Sequence, residues 1–481
     1  MTAAPPPDPP IWPTSPWADI KAHLAAEDRV VVVLDDDPTG TQTVHGVAVL
    51  TTWGPDELAA ELITAAAGPR CFFVLTNSRS LNRDAAVALA GELGANLRRA
   101  VRQAGHPVVV ISRSDSTLRG HFPAEVDALA ESLVQGPDQP FDAIVLAPWF
   151  LDGGRVTRQG VHYARIGEQL VPVADTEFAR DAAFGYTHSY LPDWVAEKTA
   201  GRIAAAEVTV FALQHIRAGG PTALAAALLA RPAGGCVVFD AVHERDVEVV
   251  VAALLAAEAG GRRYLYRSAA SLVRVRAGIE PRPLLDPATL AASAGPDDPG
   301  GPLGSGRLVV VGSHVARSTE QLAHLLDHAT AAELQVVEVG TDAALANPGA
   351  EARRCAAAVD AALAAGDDVV LHTERAVRLG ADGDDSLRIS AAISKAVVGA
   401  VAALTVRPAL VVAKGGITSS DIATAALGVR RAEVLGQVQA GVAVWRCGPE
   451  SRFPGLPYVV FPGNVGQPDS LSALLARRSP R

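Results

Sequence analysis

Short runs of valine, isoleucine, leucine and phenylalanine alternate with longer stretches rich in alanine and leucine along nearly the whole chain. Short apolar runs bounded by polar turns are typical of strands buried on both faces, and the stretches between them are long enough to form helices. In the first half the predicted strands are VVVL before Asp35, CFFVLT from Cys71, PVVVIS from Pro107, AIVLAP from Ala143, VTVFAL from Val208 and CVVFD from Cys236. This alternation predicts βαβ units around a mainly parallel sheet.

The same alternation restarts after a segment of different composition. Residues 284–306 are rich in Pro, Gly, Asp and Ser, which is typical of a linker. A chain of 481 residues also exceeds what one hydrophobic core usually supports. We therefore predict an α/β protein with a Pro-rich, disordered start (1–16), a first domain (17–283), the linker and a second domain (307–481). Each domain is predicted to hold a mainly parallel sheet flanked by helices, with the active site in the cleft between them.

Charge and composition exclude several classes of protein. The formal net charge is −10, which argues against nucleic acid as a partner. No apolar run is long enough to span a membrane, and the N-terminus lacks a signal sequence, so we expect a cytoplasmic protein with no membrane partner. The four cysteines are scattered, and their spacing indicates neither a disulfide framework nor a zinc site. The sequence leaves the oligomeric state open, a homodimer included.

Three predicted strands of the second half end in glycine-containing turns. These turns are Gly312-Ser313, Gly415-Gly416-Ile417-Thr418 and the segment 462–466. The carboxyl ends of parallel strands lie along one edge of a sheet, where ligands bind, and backbone N–H groups at helix N-termini attract phosphate. Any one turn alone is explained by a tight strand-to-helix connection, but three on one edge favour a nucleotide site. No Walker motif is present.

The first half places acidic residues at a strand end. VVVL runs directly into Asp35, Asp36 and Asp37, followed by Pro38-Thr39-Gly40. Clustered acids of this kind suit a metal, a proton transfer or hydroxyl recognition, although a solvated loop is the plainer explanation. If the predicted nucleotide site delivers a phosphoryl group to a hydroxyl, a carboxylate is needed to accept or orient the proton of that hydroxyl, and Asp36 or Asp37 is the candidate base.

Two further strand ends carry polar residues that suit a polyhydroxy acid. Asp115 and Ser116 can bond hydroxyls, and Arg119 can pair with a carboxylate. The segment Thr76-Asn77-Ser78-Arg79 offers the same chemistry from a neighbouring strand. Capping and surface ion pairs are the plainer alternative for each segment. For His121 and His162, a surface or hydrogen-bonded structural role is favoured over catalysis.

Taken together, these motifs resemble the four-carbon acid sugar kinase family, whose members phosphorylate threonate, erythronate or their oxo derivatives. The resemblance covers nearly the whole chain after the Pro-rich start. Its first-half motifs are DDPTG from Asp36, TNSR from Thr76, DSTLRG from Asp115 with Glu125 following, and APWF from Ala147 with Gly154-Arg155. Its second-half motifs are Gly312-Ser313, KGGIT from Lys414 for the family's TGGDT, and FPGNVG from Phe461 for the family's KPGxxG.

The resemblance implies ATP and a small sugar acid as substrates of an ATP-dependent kinase. Mg²⁺ is expected with ATP, because phosphoryl transfer needs the charge of the phosphates neutralised. The candidate catalytic residues are then Asp36 and Asp37, with the metal ligands unknown. The candidate acceptor-binding residues are Thr39, Asn77, Ser78, Arg79, Asp115, Ser116 and Arg119. The candidate ATP-binding residues are Ser313, Gly415, Gly416, Ile417, Thr418 and Gly463.

The sequence departs from the family motifs at two positions, and two other functions remain as alternatives to the kinase. Ile417 replaces the acid of TGGDT and Phe461 the lysine of KPG, which removes one negative and one positive group. These losses motivate the alternative of a sugar-acid and nucleotide sensor without catalysis. VVVL-Asp35-Asp36-Asp37 also fits a haloacid-dehalogenase-like phosphatase, with Asp35 as nucleophile and Asp37 as acid. Such a phosphatase would also need a later lysine, for example Lys198, and an acidic pair, for example Asp367-Asp368.

Overall fold

The computed structural model describes residues 8–134, 140–286, 290, 306–329, 334–376, 378 and 383–475. The chain forms two compact units. The first contains Met1–Gly40 and Thr52–Pro281, and the second contains Thr41–Thr51 and Arg282–Arg481. The segment 41–51 therefore leaves the predicted first domain and joins the second unit. Most of the predicted linker, 284–306, lies outside the described residues.

The first unit is built on a parallel sheet of seven strands with the order β3-β1-β4-β11-β5-β10-β9. The strands are β1 (Val30–Asp35), β3 (Cys71–Leu75), β4 (Val108–Arg113), β5 (Ala143–Ala147), β9 (Thr209–Phe211), β10 (Cys236–Phe239) and β11 (Tyr264–Ser268). Every residue of β1, β3, β10 and β11 is buried. This burial explains why the strands read as continuous apolar runs instead of alternating ones.

Eight helices of the first unit connect and cover these strands within the described residues. They are α1 (Trp17–Ala26), α2 (Pro55–Ala66), α3 (Arg83–Ala104), α4 (Ala124–Leu133), α5 (Leu191–Lys198), α6 (Leu213–Ala230), α7 (Glu244–Ala259) and α8 (Ala270–Arg276). The helix α3 carries the chain from β3 past β1 to β4, so β1 lies between the next two strands of this sheet along the chain. Ligands of open α/β sheets bind where the strand order reverses in this way.

A separate antiparallel sheet of three strands follows β5. It consists of β6 (Arg155–Arg158), β7 (Val161–Ile166) and β8 (Gln169–Pro172). Single bridges from Thr157 to Ala241 and from Val161 to Tyr190 attach it to the rest of the unit. The sequence analysis did not predict this sheet.

The second unit has a mixed sheet with the order β13-β14-β12-β15-β18-β17-β16-β2. Its strands are β2 (Ala48–Leu50), β12 (Leu308–Val311), β13 (Leu334–Val339), β14 (Asp368–Thr373), β15 (Val411–Lys414), β16 (Arg431–Gln439), β17 (Val442–Cys447) and β18 (Pro457–Phe461). The first five in this order are parallel and the last three antiparallel. The sheet is mainly parallel, as predicted, but β16 and β17 form a hairpin where a further βαβ unit was expected.

Helices of the second unit connect the parallel strands. In the described residues they are α9 (Ala316–His328), α10 (Thr341–Ala346), α11 (Pro348–Ala365), α12 (Gly383–Ala402), α13 (Gly416–Asp421) and α14 (Ser470–Leu475), with a π-helical turn, Ile422–Ala426, after α13. The core includes Val309, Val370, Val412, Val459 and Phe461 from four neighbouring strands.

Residues 8–16, predicted to be disordered, instead contact the first unit. Asp8 pairs with Arg158 at 2.7 Å, and Arg217 donates a hydrogen bond of 2.7 Å to the Pro9 carbonyl. The prediction relied on the low apolar content of this segment, and polar contacts with arginines compensate for it.

The structure also describes the state of the cysteines and the character of the helices. All four cysteines are buried and free, and burial raises the pKa of the Cys71 and Cys236 thiols to about 12. No helix among the described residues is long and apolar enough to cross a membrane.

Candidate functional site

The carboxyl ends of the central strands of the first unit coincide. Asp35 at the end of β1 is in register with Leu75 of β3 and Arg113 of β4, and Arg113 is in register with Ser268 of β11. The loops that follow these strands therefore start from one edge of the sheet. Their polar residues form the first candidate site.

Asp35 points into the protein. Its carboxylate is buried and lies 3.3 Å from the Arg113 guanidinium. A Cβ at Gly40 would overlap that carboxylate, so the loop packs directly against it. Burial, aided by Asp36 and Asp37 and opposed by Arg113, raises the pKa of Asp35 to about 7. A nucleophile must reach its substrate, and this carboxylate is covered; the geometry therefore disfavours the phosphatase alternative.

The lysine of that alternative and one acid of its acidic pair are also engaged elsewhere. Lys198 donates a 3.2 Å hydrogen bond to the Gly185 carbonyl. Asp368 begins β14 and pairs with Arg307.

Asp36 is buried and already saturated with donors. Arg79 approaches it with two nitrogens, Nε at 3.1 Å from one oxygen and Nη2 bonded to the other. Ser114 donates a further hydrogen bond of 2.8 Å. A bidentate pair of this kind fixes the guanidinium in place. The arrangement suits a residue that positions Arg79 better than one that accepts a proton.

Asp37 is half-buried, and its surroundings keep it ionised. The Thr39 backbone N–H donates a hydrogen bond of 2.9 Å to one carboxylate oxygen, which the Thr39 hydroxyl also contacts. The other oxygen lies 3.5 Å from Arg79. Burial opposes ionisation, but Arg79 and the hydrogen bonds from Thr39 outweigh it and lower the pKa of Asp37.

The loop after β3 divides its predicted residues between two environments. Asn77 and Arg79 are half-buried at the site, whereas Ser78 is fully buried. The Ser78 hydroxyl donates a 2.6 Å hydrogen bond to Glu125. Burial, together with Asp36 and against Arg267, raises the pKa of Glu125. Ser78 therefore lies beneath the site, where it is hydrogen-bonded to Glu125.

The loop after β4 is organised around Asp115. Arg119 Nε lies 2.7 Å from its carboxylate, and the Thr117 hydroxyl contacts the same oxygen. Arg119 also lies 3.7 Å from Asp181. Ser116 is buried, and its carbonyl accepts a 2.8 Å hydrogen bond from His162. Arg119 thus has two carboxylates around it before any ligand binds.

Gly120 allows the loop after β4 to close on the Asp36 network. Its φ is +117°, a value that side chains rarely allow. A Cβ there would lie 2.9 Å from Ser114 Oγ, 2.9 Å from Arg267 Nη2 and 3.3 Å from Asp36 Oδ2. The DSTLRG motif consequently needs its glycine for close packing against buried charges.

Arg155 is a residue to which the sequence analysis assigned no role. The guanidinium groups of Arg119 and Arg155 lie 5.2 and 5.9 Å from the Phe178 ring centre. In the described part of the chain Arg155 forms no ion pair, and its buried Nε has no hydrogen-bond partner. Its pKa is lowered by burial, with Asp115 opposing that effect. The available signal was its place in the Gly154-Arg155 motif.

Both candidate histidines are hydrogen-bonded inside the protein. His121 Nε2 contacts the carbonyls of Ser78 at 3.1 Å and Leu81 at 3.0 Å. His162 is buried between Ser116 and Thr157, and burial lowers its pKa to about 4. The structural interpretation of both residues is therefore favoured.

The second candidate site lies in the second unit, where three glycine turns follow β12, β15 and β18. Val311 is in register with Lys414, and Lys414 with Phe461, so the turns leave one sheet edge. Ser313 is at their centre. A Cβ at Gly415 would lie 2.9 Å from Ser313 Cβ, and one at Gly463 would lie 3.0 Å from Ser313 Oγ.

The three turns approach each other because their glycines lack side chains. A Cβ at Gly312 would overlap the Thr418 hydroxyl. Gly415 has a φ of +117° and directly precedes α13, which starts at Gly416. Ile417 is 64% exposed, so its side chain faces away from the core of the unit. The structure thus brings Ser313, Thr418 and the predicted glycines 415 and 463 together.

Arg375 adds a positive charge that the sequence analysis missed. Its Nη2 donates hydrogen bonds of 2.7 Å to the Ser313 carbonyl and 2.7 Å to the Thr319 hydroxyl. Burial lowers its pKa. Nothing in the local sequence marks this arginine, which follows β14 without a glycine motif.

No group of three or more His, Cys, Asp or Glu side chains suited to holding a metal ion occurs among the described residues.

Two family models match the chain, one over each half. Residues 31–276 match a family described as a sugar-binding N-terminal domain, and residues 308–471 match one described as a nucleotide-binding C-terminal domain. A D-threonate kinase of Bordetella bronchiseptica is 34% identical over 166 residues, which are 33% of this chain and 37% of that protein. The match therefore spans little more than a third of the relative's length.

Two crystal structures share the fold. One is a Haemophilus influenzae protein, 17% identical with a TM-score of 0.59, for which the alignment covers 93% of this chain and 99% of that one. The other is a Salmonella typhimurium protein provisionally described as a tRNA synthase, 18% identical with a TM-score of 0.63, with 93% and 98% covered. At these identities the two structures support the fold alone.

Proposed function

Because this chain belongs to the four-carbon acid sugar kinase family, we propose that it transfers the γ-phosphate of ATP to a hydroxyl of a small, four-carbon sugar acid. The acceptor binds to the first unit and ATP, with its Mg²⁺, to the second. The reaction takes place in the cytoplasm, where ATP is available.

One observation carries the acceptor part of this proposal. Of the three arginines in the loops of the first site, Arg79 is paired with Asp36 and Asp37, and Arg119 with Asp115 and Asp181. Arg155 has no such partner among the described residues. A sugar acid supplies what this site lacks, a carboxylate for Arg155 and hydroxyls for the ionised acids.

Asp37 is the proposed base. It is ionised and only half-buried, and the oxygen that Thr39 leaves free can accept the proton of an acceptor hydroxyl. Asp36 holds Arg79 in place beside it. In phosphoryl transfer the protein contributes mainly positioning and charge stabilisation. One oriented carboxylate is therefore enough to accept the proton of the acceptor hydroxyl.

The exposure of each remaining candidate side chain decides whether it can contact the acceptor directly. Thr39, Asn77 and Asp115 are half-buried and can reach hydroxyls of the substrate. Ser78 and Ser116 are buried and act through Glu125 and His162.

On the nucleotide side, we assign the phosphates to the turns around Ser313, Gly415, Gly416 and Gly463, together with Thr418. Glycine lets the backbone N–H groups approach phosphate oxygens closely. Ile417 contributes through its backbone, because its side chain is exposed and carries no charge.

A coupled ADP-release assay over four-carbon sugar acids, including 2-oxo and 3-oxo forms, tests the proposal. Turnover with one of them, lost in D37N and kept in D84N, is the expected result; Asp84 is an exposed acid in the first turn of α3. Calorimetric binding of ATP and threonate without ADP formation would instead favour the sensor. Magnesium-dependent hydrolysis of para-nitrophenyl phosphate that disappears in D35N would overturn the kinase in favour of the phosphatase.

A further inference from the structure

Lys414 is a lysine in an apolar environment. It is the last residue of β15, on the sheet edge from which the three glycine turns leave, and its side chain is fully buried. Burying an ammonium group is costly unless other groups compensate its charge. The groups around Lys414 should therefore show how its charge is compensated.

Its partners are carbonyl oxygens and an aromatic ring. The ammonium donates hydrogen bonds to the carbonyls of Pro462 at 2.6 Å and Val465 at 3.2 Å. It lies 3.8 Å from the ring centre of Phe461, its register partner on β18. No carboxylate pairs with it in the described part of the chain, and burial together with Arg317 lowers its pKa to about 7. The charge thus has dipoles around it but no anion.

Two other buried side chains hold the same turn. Ser318 donates a 2.9 Å hydrogen bond to the Gly463 carbonyl. Gln321 donates hydrogen bonds to the carbonyls of Val465 at 3.0 Å and Gln467 at 2.8 Å. Several successive carbonyls between residues 462 and 467 are therefore drawn toward the protein. A turn whose carbonyls face inward can present its amide groups outward, which is the arrangement that binds anions.

We propose that Lys414 is a positioning residue of the nucleotide site. It fixes the turn 462–466 by its carbonyls and places a positive charge beneath the bound phosphates, which supply the missing anion. This inference rests on the proposed nucleotide role of the second unit. It also revises the expectation that Phe461 removes a positive group: the neighbouring strand provides one at the paired position.

The register pairing permits a test by exchange. In the single variant K414M the positive charge is removed with little change in side-chain volume. In the double variant K414F/F461K the lysine moves to the paired position, so the composition is unchanged and the charge returns to the same part of the sheet edge. K395M is the matched control, because Lys395 is exposed on α12 of the same unit.

Calorimetry measures the binding of ATP and ADP, and the coupled assay gives KM and kcat. Thermal unfolding is followed with and without ATP. K414M should weaken ATP and ADP binding at least about tenfold and raise the KM for ATP, as expected for loss of a charge-assisted contact. The acceptor KM should stay within about twofold, and ATP should raise the melting temperature of K414M by less than that of the wild type. The exchange variant should recover most of the affinity, and K395M should match the wild type.

Three outcomes would count against the inference. Wild-type nucleotide affinity in K414M overturns it while leaving the kinase proposal standing. Failure of the exchange variant to regain affinity assigns Lys414 a packing role, and this comparison also decides the matter if K414M does not fold. Absence of nucleotide binding by the wild type defeats the proposed function itself, which the calorimetry of the unaltered chain detects separately.

Discussion

The two candidate sites solve the problem of binding a polar ligand in opposite ways. The site of the first unit consists of buried and half-buried charged side chains that hold one another, such as Arg79 with Asp36 and Arg119 with Asp115. The site of the second unit consists of backbone turns whose glycines lie against Ser313 and Thr418, with Lys414 beneath them.

The difference follows from the ligands that we assign to the sites. Hydroxyl groups must be read by directional donors and acceptors, and carboxylate and guanidinium side chains provide these. Phosphate oxygens are bound well by successive backbone amides, which require glycine where the chain comes close. The first site should therefore be sensitive to the loss of a charge, and the second to the gain of a side chain.

The largest expected effect is on chemistry in the first site. D37N should lower kcat by about 10²–10⁴-fold, because the amide cannot accept the hydroxyl proton. ATP affinity and thermal stability should remain close to the wild-type values. Turnover in D37N within a few-fold of that of D84N would show that Asp37 is not the base.

The second expectation concerns the glycine turns. G415V adds a β-branched side chain where φ is +117° and a Cβ would lie 2.9 Å from Ser313 Cβ. Strain of roughly 3 kcal/mol or more should reduce ATP affinity by about a hundredfold or more. G349A is the control, since the nearest atom to a Cβ at Gly349 lies 3.5 Å away. Isothermal titration with ATP measures both, and equal affinities would refute the close packing of the turns.

The third expectation separates the arginines of the first site. R155M should raise the KM for the acid by about 10–100-fold, the usual value of a charged hydrogen bond, and leave the KM for ATP unchanged. R99M, at an exposed arginine of α3, serves as the control. If R119M alone showed this selective rise in acceptor KM, Arg119 and not Arg155 would hold the carboxylate.

The last expectation concerns stability and pH. Because the pKa of Asp35 is raised from 3.8 to about 7, its neutral form is favoured in the folded state, and this stabilisation is lost as the pH rises from about 4 to 7. D35N cannot ionise, so its melting temperature should improve relative to the wild type as the pH rises from about 4 to 7. A difference in melting temperature that is constant over this range would show that Asp35 is ionised throughout.

The sequence predicted the parts of the fold that depend on local pattern. The βαβ alternation and the polar residues after VVVL, CFFVL and VVVIS were readable because strands buried on both faces are continuous apolar runs. The order of these residues along the sheet edge follows from parallel registry. The antiparallel sheet from Arg155 to Pro172 was not predicted, since its short strands have mixed polar and apolar character.

The partners of individual charges could not be read from the sequence. Asp35, Asp36 and Asp37 are adjacent, yet one is buried against Arg113, one is saturated by Arg79 and one is left half-buried with Thr39. Only the paths of the loops from β1, β3 and β4 separate them. The same holds for β2, which pairs with β16, nearly 400 positions later in the chain, because a short strand adopts whichever sheet edge offers hydrogen bonds.

The sequence by itself determined the α/β class, the strand ends that carry polar residues and the glycines of the turns, since these depend on the period of apolar residues and on local backbone requirements. Tertiary structure alone decided which acid stays available, that Arg155 has no carboxylate partner among the described residues and that Lys414 lies beneath a glycine turn. Such pairings arise between residues far apart in the chain, and their energies depend on burial and distance, which no local pattern encodes.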